Sequence, residues 1–220
     1  MSISLCLLVW LPIMSERIAT DATSPAHLLV VGSVAFDNVI TPYGEKEHIL
    51  GGAASYCSFA SSYFAETRMV GVVGNDFGEE FMDRLRSRGI DLEGLQRDES
   101  GPTFFWKGKY HENFNRRDTL DLQLNVFEKF RPDLPESYRA SPFVLLGNIH
   151  PALQAHVLDQ LSGESFVLAD TIDLWIEIER ENLLNLIKRV HLFVINDSEA
   201  EELTGEKNII LAGHKLREMG

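Results

Sequence analysis

A single carboxylate near the start of the chain is the first residue that could do chemistry. Asp37 follows the apolar run of residues 28–33 in the sequence V-G-S-V-A-F-D-N. The run predicts a buried strand, and ligands of open α/β sheets bind at the carboxyl ends of the strands. A carboxylate there can accept hydrogen bonds from two hydroxyl groups, so Asp37 is a candidate substrate-binding residue. On residue type alone, a solvated turn aspartate is the commoner case.

A glycine pair opens the next predicted helix. Gly51 and Gly52 precede residues 53–64, where small and aromatic side chains recur at helical spacing. Because glycine has no Cβ, the pair lets the backbone take positive φ and approach a ligand closely. It could also act as a hinge between a lid and the core. By itself, the pair is equally consistent with an ordinary turn.

A second candidate group lies in the segment V-I-N-D-S-E-A-E-E-L-T-G, where a buried strand runs into a short acidic helix. Asn196 and Glu199 are three positions apart, so both can face the sheet edge. Asp197 or Ser198 is expected to cap the helix. The alternative role for Glu199 is a favourable interaction with the helix dipole alone.

Asn148, a candidate substrate-binding residue, and two weaker candidates follow other predicted strands. Asn148 and His150 lie in L-G-N-I-H-P, and Asp170 lies in A-D-T-I-D-L-W, each after an apolar run. Their strands would end at the same sheet edge as that of Asp37. A lone histidine in a loop is more often incidental to a site, and Asp170 is the same kind of weak candidate.

The glycine-rich segment of residues 71–78, G-V-V-G-N-D-F-G, superficially resembles a dinucleotide-binding loop. The glycine spacing differs from G-x-G-x-x-G, and Asp76 would put a negative charge where a pyrophosphate should bind. We interpret the segment as a strand-to-helix turn with Asp76 near a helix N-terminus. A nucleotide-dependent oxidoreductase is therefore only a lesser alternative.

The elements that must position these residues alternate between strand and helix. After residue 28, strands are predicted at 69–73, 143–146, 166–169 and 192–195, and helices at 152–161 and 176–186, with more helix after residue 197. This order predicts a parallel sheet with helices on both faces.

Residues 34–50 and 103–124 break this rhythm, because they contain strand-like patterns without helices between them. They predict a small antiparallel sheet beside the main one. A lid over the site and an edge decoration or dimer interface are both consistent with this pattern.

Composition limits the partners. The 33 acidic and 20 basic residues give a net charge of −13, which disfavours nucleic-acid binding. The two cysteines form no disulfide framework, which suits a cytoplasmic protein. The apolar run of residues 3–13 is shorter than the roughly 20 residues that span a bilayer. It also lacks the basic start and small-residue cleavage site of a signal peptide. We therefore expect no membrane partner and treat residues 1–27 as an extension outside the fold.

Taken in order, these motifs resemble the PfkB family, which includes ribokinase, fructokinases and adenosine kinase. The resemblance covers residues 28–220, and N-x-x-E with the trailing E-L-T-G is its most specific part. It implies a ribokinase-like three-layer α/β fold with a small β lid, of which the C-terminal part is missing. It further implies phosphorylation of a sugar or nucleoside hydroxyl with ATP and Mg²⁺.

The resemblance also assigns roles. Asp37, Gly51 and Gly52 would form the substrate site and lid hinge, with Asn148 a further candidate for contact with the substrate. Asn196 and Glu199 would belong to the Mg²⁺–phosphate network, with Glu199 holding the metal indirectly. A homodimer through the lid is a further expectation.

Two departures from the family pattern are evident. Tyr56 stands after the glycine pair where many members carry a substrate-binding asparagine, so a substrate with an apolar face fits this position. No part of the sequence matches the glycine-rich D-T-x-G-A-G-D segment, which carries the family's anion hole and catalytic base. The catalytic base is thus expected beyond residue 220, and no residue is assigned as catalytic. These 220 residues alone are predicted to be inactive. A non-catalytic ligand-binding or oligomerisation module on the same half-fold is the alternative.

Overall fold

The structure is a computed structural model that describes residues 27–112 and 117–220. The elements, in chain order, are β1 (His27–Val31), β2 (Ala35–Thr41), β3 (Gly44–Gly51), α1 (Ala53–Ser61), β4 (Glu66–Val73), α2 (Glu79–Arg86), β5 (Asp91–Arg97), β6 (Phe104–Tyr110), β7 (Arg117–Gln123), β8 (Phe143–Leu146), α3 (Pro151–Gln160), β9 (Phe166–Asp170), α4 (Asp173–Ile178), α5 (Arg180–Ile187), β10 (Leu192–Val194), α6 (Asp197–Thr204) and α7 (Ile209–Met219). Two short 3₁₀ helices, Asn125–Lys129 and Glu136–Tyr138, lie between β7 and β8.

The predicted extension lies outside the described residues except for His27, which belongs to β1 and pairs in register with Glu66 of β4. None of the helices within the described ranges is long and apolar enough to cross a membrane.

The main sheet has six parallel strands in the order β10-β9-β8-β1-β4-β5. Its central strand β1 is covered on both faces, and Leu29, Val30 and Val31 have no exposed surface. Continuous apolar runs of this kind are typical of buried parallel strands. The predicted α/β class is therefore confirmed.

The strand alternation separates two helical layers. Leu29 and Val31 point into one core with the buried faces of α3 to α7, whereas Val30 points into a second core with α1 and Leu85 of α2. The described residues thus form the predicted three layers, in which α1 and α2 lie on one face and α3 to α7 on the other.

The direction of the chain across the sheet reverses between β1 and β8. From β1 the chain adds β4 and β5 on one side, and it then returns to add β8, β9 and β10 on the other. Such a switch point opens a crevice at the carboxyl ends of the two strands, where ligands bind in open α/β sheets. Gly32 and Gly147 follow these two strands, and a Cβ on Gly147 would lie 3.0 Å from Cβ of Ala53, so the start of α1 closes over the crevice.

A second sheet of four strands, in the order β3-β2-β6-β7, arises from the two stretches that break the alternation. β2–β3 and β6–β7 are antiparallel hairpins, but β2 and β6 pair in parallel. The prediction of a purely antiparallel sheet is thus wrong in this one pairing, since each hairpin follows a strand of the main sheet and the two leave in the same direction.

Two other elements differ from the prediction. β5 was not predicted, because D-L-E-G-L-Q-R is polar and half-exposed at the sheet edge. The helix expected at 176–186 is two helices that meet at Glu179, whose φ of −126° and ψ of 28° interrupt the helical backbone. The Glu179 side chain receives a hydrogen bond from Asn182 and lies 3.3 Å from His150.

Candidate active site

Asp37 lies on β2 with its carboxylate over the glycine pair. The residue is only 9% exposed, and a Cβ on Gly51 would overlap the carboxyl oxygens. Within the described residues, no side chain or amide donates a hydrogen bond to this carboxylate. Burial raises the pKa of Asp37 from 3.8 to about 6. A desolvated carboxylate without donors is suited to receive hydroxyl groups from a ligand.

Gly51 and Gly52 connect the second sheet to helix α1. Gly51 ends β3 and Gly52 precedes α1 with φ of 90°, a conformation that side chains other than glycine rarely adopt. A Cβ on Gly52 would overlap the carbonyl of Ser33, which accepts a hydrogen bond from Ala54 at 2.9 Å. The glycines therefore hold α1 against the loop after β1, beside Asp37.

Asn196 and Glu199 form a reciprocal cap on α6. The Asn196 side chain accepts from the Glu199 amide at 2.9 Å, and Glu199 Oε2 accepts from the Asn196 amide at 3.1 Å. The expectation that Asp197 or Ser198 caps the helix is wrong, because Asn196 is itself the capping residue and Glu199 completes a capping box. One oxygen of each side chain is thus used in holding the helix end.

Charged groups from three parts of the chain meet around Glu199. Burial is the largest influence on its carboxyl group and raises the pKa, and the Asp173 charge raises it further. The amide of Asn196 and the guanidinium of Arg117 lower it. Since Arg117 begins β7, the second sheet presents a positive charge towards the N-terminal end of α6.

Asp170 ends β9 at the same edge and is largely buried. Its Oδ1 has no hydrogen-bond partner, and burial together with the Glu199 charge raises the pKa of its carboxyl group to about 7. The Asp170 charge in turn adds to burial in raising the pKa of the Cys57 thiol to about 11. The Gln154 amide links the carbonyls of Leu146 and Asp170 at 3.2 and 3.1 Å, which fixes the ends of β8 and β9 side by side.

Asn148 and His150 make structural contacts. Asn148 Oδ1 accepts from Trp175 Nε1 at 2.7 Å, so only its amide group is left for a ligand. His150 Nδ1 accepts from the Ala152 amide at 3.1 Å and caps α3, while Nε2 lies 3.3 Å from Glu179. His150 is thus occupied as a helix cap, which accounts for its presence without a ligand.

Tyr56 extends from the second turn of α1 beside Asp37 and is 56% exposed. Burial, the Asp37 charge and Tyr110 raise the pKa of its hydroxyl group, in that order. Sequence reasoning missed Tyr110 of β6, which contributes to this shift, and Trp106, whose ring contacts that of Tyr110. The signal was present in F-F-W-K-G-K-Y, because residues four apart on a strand share a face.

No group of three or more histidine, cysteine, aspartate or glutamate residues within the described ranges is arranged to hold a metal ion. Glu199 and the unpartnered oxygen of Asp170 are two possible oxygen ligands, and the Glu199 charge raises the pKa of the Asp170 carboxyl group. Mg²⁺ keeps several waters and is commonly bound through one or two carboxylates together with substrate phosphates. The residues present fit a hydrated Mg²⁺ that arrives with a nucleotide better than a metal site made of protein ligands alone.

The model of the pfkB family of carbohydrate kinases matches residues 25–107. A cytidine kinase of Thermococcus kodakarensis is 29% identical over 200 residues, which are 88% of this chain and 69% of that protein. Of solved structures, a nucleoside kinase of Methanocaldococcus jannaschii, described as an archaeal member of the ribokinase family, superposes with a TM-score of 0.64 at 15% identity. This superposition covers 83% of this chain and 64% of the nucleoside kinase chain. Ribokinase of Arabidopsis thaliana, solved with ribose and ATP, superposes with a TM-score of 0.68 at 16% identity. The superposition covers 90% of this chain and 70% of the ribokinase chain.

Proposed function

We propose that this chain, a PfkB-family relative with the ribokinase-like fold, belongs to a kinase that phosphorylates a hydroxyl group of a sugar or nucleoside with ATP. The observation that carries the proposal is the Asp37 carboxylate, which is buried, lacks a donor and lies over the Gly51–Gly52 pair. The likeness to a cytidine kinase and the family match over residues 25–107 support it.

Asp37 would bind and orient the substrate. Hydrogen bonds from two hydroxyl groups would replace the solvation that burial removes, and bonds to a charged group contribute about 1.5–3 kcal/mol each. The Gly51 and Gly52 backbone has no side chain that would keep a ligand away from this carboxylate. Asn148 would add its free amide group from the end of β8.

Asn196 and Glu199 would lie near the nucleotide phosphates. A bound Mg²⁺ neutralises phosphate charge, and Glu199, through water, and Asp170 are the carboxylates placed to hold it. Arg117 adds a positive charge from the second sheet on the side of α6. The capping box limits the movement of Glu199, which keeps its carboxylate at the end of the crevice.

We further propose that the second sheet is a lid over the substrate, since it carries Asp37 and joins the main domain through the glycine pair. Its outer strand β7 is exposed at every position, including Leu120 at 52% and Leu122 at 51%. An exposed edge strand has unpaired backbone groups that favour pairing with another chain, so a homodimer through this strand is part of the proposal. A cytoplasmic location remains a prediction from cysteine usage.

The activity is proposed for a polypeptide longer than residues 1–220. Phosphoryl transfer depends on positioning and on stabilisation of developing charge. No described carboxylate is assigned as the base that would accept the hydroxyl proton. We therefore propose that residues 1–220 alone bind ligands without measurable transfer.

A chimera tests the proposal. Residues 28–220 are followed by the glycine-rich C-terminal region of a PfkB-family kinase, and phosphate transfer from ATP to ribose, cytidine and adenosine is measured. We expect transfer that Asp37→Ala abolishes and that Glu199→Gln weakens with an increased Mg²⁺ requirement. A folded chimera that binds sugars or nucleosides but transfers nothing would favour the binding module, and one that binds NAD instead of ATP would favour the oxidoreductase.

A further inference from the structure

The face of the second sheet that carries Asp37 also carries an indole ring. Asp37 pairs in register with Trp106 on the neighbouring parallel strand β6, so the two side chains leave the sheet on the same side. On the next strand, Leu122 pairs with Trp106 and is 51% exposed. An apolar surface therefore continues directly from the carboxylate.

Gly108 allows the indole to lie flat on the sheet. A Cβ on Gly108 would overlap the six-membered ring of Trp106, so another residue at this position would push the ring away from the strand. Trp106 Nε1 donates to Thr119 Oγ1 at 3.2 Å, which fixes the orientation of the ring. The ring centroid lies 6.3 Å from that of Tyr110, with the planes at 76°. The two rings therefore form an L-shaped surface whose geometry is fixed before a ligand binds.

A third aromatic side chain reaches this surface from the main domain. The Tyr56 amide donates to the Gly52 carbonyl at 3.1 Å, which places Tyr56 one helical turn from the glycine pair under Asp37. The charge of Asp37 and the hydroxyl group of Tyr110 both contribute to the raised pKa of the Tyr56 hydroxyl group. Tyr56 is therefore close enough to both Asp37 and Tyr110 to feel their charges, at the edge of the surface that carries them.

A free sugar does not account for three aromatic side chains beside a single hydroxyl-binding carboxylate. A ribose ring satisfies Asp37 through its hydroxyl groups, and a planar group attached to the sugar would cover the aromatic surface. Stacking on aromatic side chains tolerates different bases, because every base has a π face. The charge of the Asp37 carboxylate disfavours anionic groups at this position.

We propose that Tyr56, Trp106 and Tyr110 bind the heterocyclic base of a nucleoside whose ribose hydroxyl groups are held by Asp37, and that these residues select nucleosides over free sugars. This inference rests on the proposed function, because it assumes that Asp37 holds hydroxyl groups. It assigns the selection to three residues, two of which lie on the lid.

Calorimetric titration of the 220-residue chain tests the assignment without requiring catalysis. Cytidine and adenosine are compared with methyl β-ribofuranoside, which keeps the ribose and lacks the base. We expect the nucleosides to bind at least ~10-fold more tightly, a size typical of base stacking. Tyr56→Ala and Trp106→Leu should bring this ratio close to one and leave methyl β-ribofuranoside binding unchanged. The control Tyr63→Ala removes a tyrosine that is 70% exposed beyond the end of α1, and it should leave the ratio unchanged.

The possible outcomes distinguish failure of the base site from failure of the kinase function on which it rests. Equal binding of nucleosides and methyl β-ribofuranoside, or a preference that both aromatic variants retain, overturns the base site and leaves the kinase proposal standing. Absence of binding by all three ligands, with Asp37→Asn indistinguishable from the unchanged chain, overturns both. Tyr56→Ala is expected to fold because Tyr56 is exposed, and its melting temperature checks this. If Trp106→Leu is unstable, Tyr56→Ala alone decides the test.

Discussion

The carboxylate of Asp37 occupies the space that a side chain at Gly51 would need, although the two residues lie on neighbouring strands of the second sheet. The glycine is thus required for the position of the carboxylate as well as for the backbone. Asp37 is buried without a donor because Gly51 leaves it room to turn towards the start of α1. This relationship explains why the two residues act as one unit.

Gly51→Ala should therefore weaken substrate binding by displacing Asp37. We expect a loss of ~10-fold or more in the affinity for a nucleoside or sugar, since hydrogen bonds to a charged group contribute about 1.5–3 kcal/mol. Calorimetric titration measures the change. Gly101→Ala is the matched control, because a Cβ there makes only an ordinary 3.5 Å contact with Val126. In a double-mutant cycle, Gly51→Ala should have little further effect on binding once Asp37 is alanine. Additive losses would contradict the linkage.

Substrate affinity should depend on pH through Asp37. Burial raises the pKa of this carboxyl group to about 6, so the ionised form that accepts two hydroxyl hydrogen bonds is populated above that pH. The dissociation constant is expected to be flat above pH 7 and to rise as the pH falls through 6. Asp37→Asn should bind more weakly at neutral pH and lose this dependence. A wild-type affinity that stays constant between pH 5 and 8 would show that the carboxylate is not a substrate ligand.

Asp170→Asn should stabilise the folded chain at neutral and higher pH. The folded pKa of Asp170 is about 7 and its ordinary value is 3.8, so its favourable contribution is complete below pH 4 and is lost as the pH rises through 7. A pKa difference of three units corresponds to at most about 4 kcal/mol in the free energy of unfolding. Because the folded chain can relax around the charge, we expect Asp170→Asn to stabilise it by roughly 1–3 kcal/mol at pH 8. The melting temperature should rise by about 3–10 °C at pH 8 and hardly change at pH 4.

The exposed lid residue Asp121 supplies the control, because Asp121→Asn should change stability by no more than about 0.5 kcal/mol at either pH. A destabilised Asp170→Asn variant at pH 8 would mean that the carboxylate has a favourable partner in the folded chain.

The architecture could be predicted from sequence because its signals are local. The buried run at 143–146 is the strand β8 as predicted, and the strand and helix order places Asn148, Asp170 and Asn196 at one edge of the main sheet. Asp37, which was expected at the same edge, lies instead on β2 of the second sheet. The pairing of Asp37 with Trp106 was not predictable, since it depends on the register of strands about 70 positions apart. The cap at Asn196 was misassigned because asparagine, aspartate and serine are all good capping residues and only the backbone distinguishes them.

A hydrogen-bonded link between Asp76 and Thr103 was also missed, and it joins the turn after β4 to the start of β6 in the second sheet. Asp76 Oδ1 accepts from the amide and the hydroxyl group of Thr103 at 2.7 and 2.6 Å, and Thr103 Oγ1 accepts from the Gly74 amide at 2.9 Å. Asp76 was expected near a helix N-terminus and lies three residues before α2 begins at Glu79, but its carboxylate binds Thr103 and does not cap the helix. Thr103 is 1% exposed, so its side of the link is buried, whereas Asp76 is exposed.

Thr103→Val keeps the shape of this side chain and removes its hydroxyl group, so the buried Gly74 amide loses its acceptor. An unsatisfied buried donor costs about 1–3 kcal/mol, which should lower the melting temperature by roughly 3–10 °C. Hydrogen exchange of the Gly74 amide should accelerate more than that of amides in β1, because the loss is local. Thr41→Val removes two hydrogen bonds at an exposed turn and should cost less than about 1 kcal/mol, since water replaces them. Equal destabilisation by the two substitutions, or unchanged protection at Gly74, would show that the Asp76–Thr103 link does not hold β6 to the main sheet.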